Sequence, residues 1–256
     1  MKWAGGKRRL LGHILPEINL SKRYFEPFIG GGAVFFALGH RDSVIADTNP
    51  EVTNCYQQIR SNLLEVLSCL RTLKNSENHY YSVREWDPST KAERAARTLY
   101  LTRLSFNGIY RQNRQGQFNV PYGHKLHLKV ADEDHLESVR QKLIGIKIRT
   151  GDFESTVHDA QKGDTVYFDP PYTVAHSNNG FVKYNARIFS WEDQRRLAAF
   201  AKKLVERGCS VIVSNADHYS IDELYKDFKR MRIERPSVIA AASGHRKPVS
   251  EALFIG

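Results

Sequence analysis

Cysteine is scarce in this chain of 256 residues. Cys55, Cys69 and Cys209 are odd in number and far apart. Such spacing offers neither a disulfide framework nor a metal-ligand pattern, and neither HExxH nor CxxC occurs, so no metal is expected. Long apolar runs are missing too. No stretch approaches the length of a membrane-spanning helix, and Met1 to Lys7 lacks the apolar core of a secretory signal. Reduced thiols and no membrane segment give a cytoplasmic expectation. No internal repeat or low-complexity segment is evident.

The most telling absence is of acid. Between Glu93 and Asp132 there is no Asp or Glu, against Arg94, Arg97, Arg103, Arg111, Arg114, Lys125 and Lys129. The aromatics Tyr100, Phe106, Tyr110, Phe118 and Tyr122 are interleaved with these cations. The whole chain carries 38 Lys and Arg against 28 Asp and Glu, a net charge of +10. Excess positive charge is often only a solvated face. Concentrated and mixed with aromatics, it fits a polyanion surface, and nucleic acid is the expected partner.

The length allows one large core or two unequal domains. Tyr24 to Phe28 reads as a strand that breaks into Gly30-Gly31-Gly32, followed by a helix over Ala33 to Leu38 that Gly39 stops. Ser43 to Asp47 is a second buried strand ending in an acid. Strand, glycine turn, helix and acid resemble the opening of a dinucleotide-type α/β unit, in which glycines admit a ligand to the backbone and the acid takes ribose hydroxyls. A tight turn with a surface Asp is the plainer alternative. Residues 50–105 are expected to be helical, with Ile59, Leu63, Leu64, Leu67 and Leu70 as core positions. Ile109 to Asn113 and Gln117 to Pro121 read as two short strands of a hairpin around Arg114-Gln115-Gly116. Its Asn107, Arg111, Asn113 and Asn119 are the types that read base edges.

Further on, Ile144 to Ile148 reads as a strand leading to Gly151-Asp152-Phe153. Ser190 with Asp193 opens a helix with a near capping box, its apolar face built from Leu197, Phe200, Ala201, Leu204 and Val205, and Gly208 ends it. Ser210 to Ser214 is a buried strand, and Ile233, Val238 and Ala252 to Ile255 suggest edge strands. The polar stretch Thr173 to Arg187 reads as a loop, idle or closing over a substrate. Alternating strands and helices imply a mostly parallel sheet covered on both faces. Asp47, Asp152, Asp169 and Asn215 fall at predicted strand ends, where such sheets bind ligands.

Val166-Tyr167-Phe168 runs into Asp169-Pro170-Pro171-Tyr172. The two prolines fix φ and have no N–H, so their carbonyls only accept. A carboxylate, acceptor carbonyls and a phenol side by side suit a planar substrate with an amino group, such as adenine. A strand end followed by a proline-rich turn is the alternative.

The order Lys2-Trp3-Ala4-Gly5-Gly6-Lys7, Glu26-Pro27-Phe28-Ile29-Gly30-Gly31-Gly32, Ala46-Asp47-Thr48-Asn49, Arg103 to Gly123 and Asp169-Pro170-Pro171-Tyr172 resembles the Dam-type DNA adenine-N6 methyltransferases, the α-group, D12 class. The most specific part runs from Phe106-Asn107-Gly108-Ile109-Tyr110-Arg111-Gln112-Asn113 to Gly116-Gln117-Phe118-Asn119-Val120-Pro121-Tyr122-Gly123. The resemblance implies an α/β, Rossmann-like S-adenosylmethionine-dependent methyltransferase sheet with an inserted, mostly helical target-recognition domain carrying a β-hairpin. It places the catalytic domain at residues 1–55 and 141–256 and the recognition domain at 56–140. It implies that Asp169, Pro170, Pro171 and Tyr172 are catalytic. Trp3, Lys7, Phe28, Gly30, Gly32, Asp47, Asp152, Phe153 and Asp169 would bind S-adenosylmethionine. Lys2, Arg103, Phe106, Asn107, Ile109, Arg111, Asn113, Asn119, Pro121 and Tyr122 would bind double-stranded DNA at GATC or another site containing GAT. The target adenine would flip out of the duplex. The resemblance implies no obligate protein partner, and it points to a bacterial or phage-infected cell and to restriction-modification as one setting. A catalytically silent DNA-binding homologue is the alternative function.

Overall fold

The computed structural model describes residues 6–113, 115–173, 189–235 and 249–256. Its strands are β1 (Tyr24–Glu26), β2 (Ser43–Asp47), β3 (Lys147–Thr150), β4 (Thr165–Phe168), β5 (Ser210–Ala216), β6 (Lys229–Arg235) and β7 (Val249–Ile255). They form a seven-stranded sheet in the order β3-β2-β1-β4-β5-β7-β6. The helices are α1 (Leu11–Ile14), α2 (Ala33–Leu38), α3 (Pro50–Ser61), α4 (Leu63–Thr72), α5 (Glu77–Glu85), α6 (Lys91–Leu104), α7 (Glu133–Leu143), α8 (Phe153–Val157), α9 (Trp191–Glu206) and α10 (Tyr219–Leu224). The α/β expectation holds. β1, β4 and β5 run parallel, while β7 pairs antiparallel with both β5 and β6.

Two compact units make up the chain. One comprises residues 1–8, 29–41 and 45–151; the other comprises residues 9–28, 42–44 and 152–256. The first is mostly helical. Asn49 caps α3 by accepting from the Glu51 N–H, with Pro50 at the first helical position. Thr90 and Glu93 form a full capping box on α6. Apolar positions at helical spacing bury Ile59, Leu63, Val66, Leu67 and Leu70. Leu64 departs from the expectation, being 81% exposed. The chain breaks at Asn62, so α4 starts afresh at Leu63, and Leu64 falls one residue off the buried face.

In the second unit, the core gathers Phe25, Val166, Phe168, Val211, Val213, Ala252 and Phe254 from the strands with Leu197, Ala201 and Leu204 from α9. Val166–Phe168 in β4 and Val211–Val213 in β5 are continuous apolar runs because both faces are covered. Ser190 and Asp193 make the capping box of α9 in full, and Gly208, with φ 88°, follows the helix.

Three strand expectations change. Ile144 to Ile146 is not strand. Gly145 has φ 80°, which extended backbone does not allow, and the strand starts only at Lys147. Ala252 to Ile255 lies inside β7, between β5 and β6, and is not an edge; β6 is. Ile109 to Asn113 and Gln117 to Pro121 form no regular strands, only the isolated bridge Gln112–Phe118. Val238 and residues 174–188 lie outside the described residues. No helix among the described residues is long and apolar enough to cross a membrane.

Candidate active site

β1 ends at Glu26, and the chain then turns through glycines. Gly30 and Gly32 take φ of 41° and 69°. A Cβ on Gly32 would lie 2.7 Å from the Phe36 ring and 3.2 Å from the Tyr56 hydroxyl, so only glycine fits. The turn is fastened to β2. Ile29 N–H donates to the Ala46 carbonyl at 2.9 Å, and Gly30 N–H donates to Asp47 Oδ2 at 3.0 Å. Tyr56 from α3 donates to the Gly30 carbonyl at 2.8 Å. Asp47 Oδ1 accepts from the Asn49 N–H at 2.9 Å. Desolvation pushes the Asp47 carboxyl up to about 6, opposed by backbone donors from Asn49, Gly30 and Thr48. Gly30, Gly32 and Asp47 thus come together as a glycine cradle with an acceptor at its wall. Lys7 is buried at the start of a short 3₁₀ turn. Lys2 and Trp3 lie outside the described residues.

In the second unit, Phe28 meets Phe153 at 5.8 Å between ring centroids, Phe168 at 6.4 Å and Phe189 at 5.6 Å. Phe153 is 1% exposed, and the Arg196 guanidinium lies 5.1 Å from its ring centroid. Asp152 is the N-cap of α8. Its Oδ1 accepts from Glu154 N–H at 3.0 Å and from Arg196 at 3.1 Å. Arg196 also pairs with Glu154 and Asp193.

Asp169 follows the last residue of β4, a strand wholly buried between β1 and β5. It is partly exposed, whereas Pro170 is buried. The residues after it are held by buried groups. Gln194 Nε2 donates to the Pro171 carbonyl at 3.2 Å and to Thr173 Oγ1 at 3.0 Å. Asn215 Nδ2 donates to Gln194 Oε1 at 2.9 Å. Tyr172 donates its hydroxyl to Glu251 Oε2 at 2.6 Å. Gln194 and Asn215 are fully buried, and Glu251 is 3% exposed. One of the two proline carbonyls is therefore already engaged within the protein. Close by in the sheet, buried Tyr24 donates to buried Glu26 at 2.7 Å.

Sequence reasoning passed over Gln194, Glu251 and Arg196. A signal existed for the first: at the spacing 194, 197, 198, 201 it fills a core slot of an otherwise apolar face. Glu251 likewise interrupts an apolar terminal strand.

The acid-free stretch forms a braced platform. Asn119 N–H donates to the Arg111 carbonyl at 3.1 Å, Asn113 N–H to the Gln117 carbonyl at 2.8 Å. Asn113 Oδ1 accepts from the N–H groups of Gln115 and Gln117. Asn113 is therefore a turn former. Its competition for these donors explains why no regular ladder develops. Arg111 Nε donates to Asn119 Oδ1 at 2.9 Å. Tyr122 is 3% exposed, with its hydroxyl 2.6 Å from Asn75 Oδ1, so it is a strut beneath this surface. Gly123 N–H donates to the Leu104 carbonyl at 2.8 Å. Phe106 is 52% exposed, and Asn107 beside it has φ 53°. Ile109 is half-buried, and Pro121 is exposed.

Several cations of the stretch serve the fold. Arg94 pairs with Glu51, and Arg103 with Asp132 at 3.1 Å. Arg97 donates to the carbonyls of Val83 and Arg84 at the end of α5, and Lys125 to that of Ser105. Charge counted along the sequence therefore overstates what faces outward.

Comparison with known proteins agrees with these motifs. Residues 3–239 match the D12 class N6 adenine-specific DNA methyltransferase family. The chain is 42% identical to Type II methyltransferase M1.LlaDCHI of Lactococcus lactis subsp. cremoris, over 98% of this chain and 93% of that one. It is 35% identical to Type II methyltransferase M.MjaIII of Methanocaldococcus jannaschii, over 96% and 94%. It is 32% identical to the DNA adenine methylase of Escherichia coli K12, over 100% and 94%. The methyl donor that goes with these motifs is S-adenosylmethionine, and a glycine cradle with an acceptor carboxylate at its wall fits it. The chain belongs to the D12 class N6 adenine-specific DNA methyltransferases.

Proposed function

We propose that this enzyme methylates N6 of an adenine flipped out of duplex DNA, within a GATC site. Residues 1–55 and 141–256 carry the chemistry, and residues 56–140 read the target. The observation that carries the reading is the acceptor cluster at the end of β4, a half-exposed carboxylate followed by a segment tied down at Pro171, Tyr172 and Thr173.

The N6 lone pair of adenine is delocalised into the ring and is a poor nucleophile. Asp169 and the Pro170 carbonyl accept its two hydrogens. This draws the nitrogen toward tetrahedral geometry and aims its lone pair. Tyr172 stacks on the base and recovers part of the unstacking energy, about a few kcal/mol. S-adenosylmethionine, when bound, supplies an electrophilic methyl on a positively charged sulfur. The gain comes from positioning and electrostatics, and Asp169 need not be a strong base because the N6 proton leaves after transfer. Gly30 and Gly32 approach the methionine part of the donor, Asp47 takes its ribose hydroxyls, and Asp152 with Phe153 holds its adenine. Trp3, Lys7 and Phe28 are assigned to donor binding as well.

On the platform, Phe106 and Asn107 enter the duplex beside the flipped base. Arg111 and Asn119, already oriented by their mutual hydrogen bond, meet base edges with Ile109 and Pro121. Lys2 and Arg103 contribute further DNA contacts, and Asn113 and Tyr122 hold the shape. The setting is the cytoplasm of a bacterial or phage-infected cell, with restriction-modification as the role two relatives' names favour.

The test is tritium transfer from S-adenosylmethionine to a GATC duplex. Transfer is lost in Asp169→Ala while duplex binding is kept. Transfer by Asp169→Ala at the wild-type rate would overturn the chemistry. Absence of donor binding by calorimetry would leave a silent DNA-binding homologue instead.

A further inference from the structure

We propose that Glu251 is a positioning residue for the methyl-transfer step: through the Tyr172 hydroxyl it fixes the Tyr172 ring beside Asp169. The inference rests on the reading above that Tyr172 stacks on the target base.

Glu251 sits in β7, across from Ala216 of β5 and Ile233 of β6, and is 3% exposed. The residues after it, Ala252, Leu253 and Phe254, are the apolar types a covered inner strand calls for. A carboxylate there is unfavourable unless partnered. It accepts a hydrogen bond from 79 residues away, from the Tyr172 hydroxyl at 2.6 Å, a distance typical of a charge-assisted O–H···O bond. A core role alone would be met by another apolar residue at 251.

The neighbouring contacts hold the chain on either side of Tyr172. Gln194 holds the Pro171 carbonyl on one side and the Thr173 hydroxyl on the other. Asn215 orients Gln194, and its own Oδ1 accepts from the Ala216 N–H. These bonds fix the backbone around position 172, and the orientation of the phenol rests on its two side-chain torsions. The bond to Glu251 restrains both. The ring plane that a base must match is thereby set before the base arrives, and preorganisation of this kind acts on rate more than on binding.

The experiment uses the full chain and a GATC duplex, with single-turnover rates read separately from the KM values. Glu251→Ala slows methyl transfer about 10- to 100-fold, with KM for duplex and donor changed by no more than about threefold. Glu251→Gln, whose amide oxygen still accepts, recovers most of the rate. Tyr172→Phe slows transfer as Glu251→Ala does. The double variant Glu251→Ala/Tyr172→Phe is no slower than either single one, because both remove the same bond. Multiplying effects, or Tyr172→Phe at the wild-type rate, would overturn the assignment. The Tyr172→Phe and Glu251→Gln arms decide it even where Glu251→Ala does not fold. Tyr172→Ala separates the two readings. A wild-type rate there removes the stacking reading itself. A slow Tyr172→Ala beside a fast Glu251→Ala removes only the role of Glu251.

Discussion

Asp47 is held by the N–H groups of Gly30 and Asn49, yet desolvation still raises its carboxyl from 3.8 to about 6. A carboxyl raised on folding binds its proton more tightly in the folded chain. Its contribution to stability is therefore fully present below pH 3.8 and is lost as pH climbs to about 6. On the proposed role of Asp47, donor binding runs the other way, since ribose hydroxyls would donate to the ionised form. Calorimetry with S-adenosylhomocysteine should show affinity falling below pH 6, about tenfold for each further unit. Asp47→Asn should flatten that profile, and an unchanged pH step in the variant would assign the effect elsewhere. At this scale the sequence was informative wherever a residue's role lies in its own backbone. Gly30, Gly32, Asp47 and the Ser190–Asp193 cap could all be read. Tyr122 and Asn113 could not be read as supports, because the partners that hold them, Asn75 and the 115 and 117 amides, depend on how the chain folds back.

The platform from Leu104 to Gly123 lacks a regular ladder, so its shape depends on single close contacts. A Cβ on Gly123 would lie 2.7 Å from the Ser105 carbonyl oxygen and 2.8 Å from that of Leu104. Backbone cannot yield as a side chain can, and Gly123→Ala should destabilise the fold by about 1–3 kcal/mol in denaturant unfolding. Gly116→Ala meets nothing within 4 Å, but its φ is 78°. It should destabilise by about 1–2 kcal/mol through conformation alone. Base reading is separable from charge in the same acid-free stretch. Arg111→Ala should relax discrimination at one base pair by about 1–3 kcal/mol in competition binding. Lys129→Ala should weaken all duplexes alike and lower the salt slope by about one. A uniform loss with Arg111→Ala would remove it as a base reader. The hairpin turn was legible from Arg114-Gln115-Gly116. Its strands were not realised, because Asn113 takes donors that a ladder needs. The misread strand at Ile144 has a similar cause: Gly145 is a helix-ending glycine, and apolar pattern alone does not separate that from a strand.

Across the whole molecule, strand content could be read from apolar runs, but strand order could not. The third strand in sequence lies at one edge, and the last turns back between β5 and β6. Such choices rest on how helices cover the faces, a property of the chain as a whole. The order reverses between β1 and β4, the kind of place where parallel sheets gather ligand sites. Those two strands run out into Pro27-Phe28 and Asp169-Pro170. Net charge was the weaker guide. Among the described cations of the acid-free stretch, Arg94, Arg97, Arg103 and Lys125 hold other parts of the protein, and sequence counting cannot tell such groups from outward ones. The proposed reaction acts on one atom in one sequence, N6 of the adenine in GATC. Sequencing of modified bases in duplex DNA exposed to the enzyme and S-adenosylmethionine tests it most directly. N6-methyladenine should appear in GATC on both strands and vanish with Asp169→Ala. Modification of adenines outside GATC, or on another base, would contradict it.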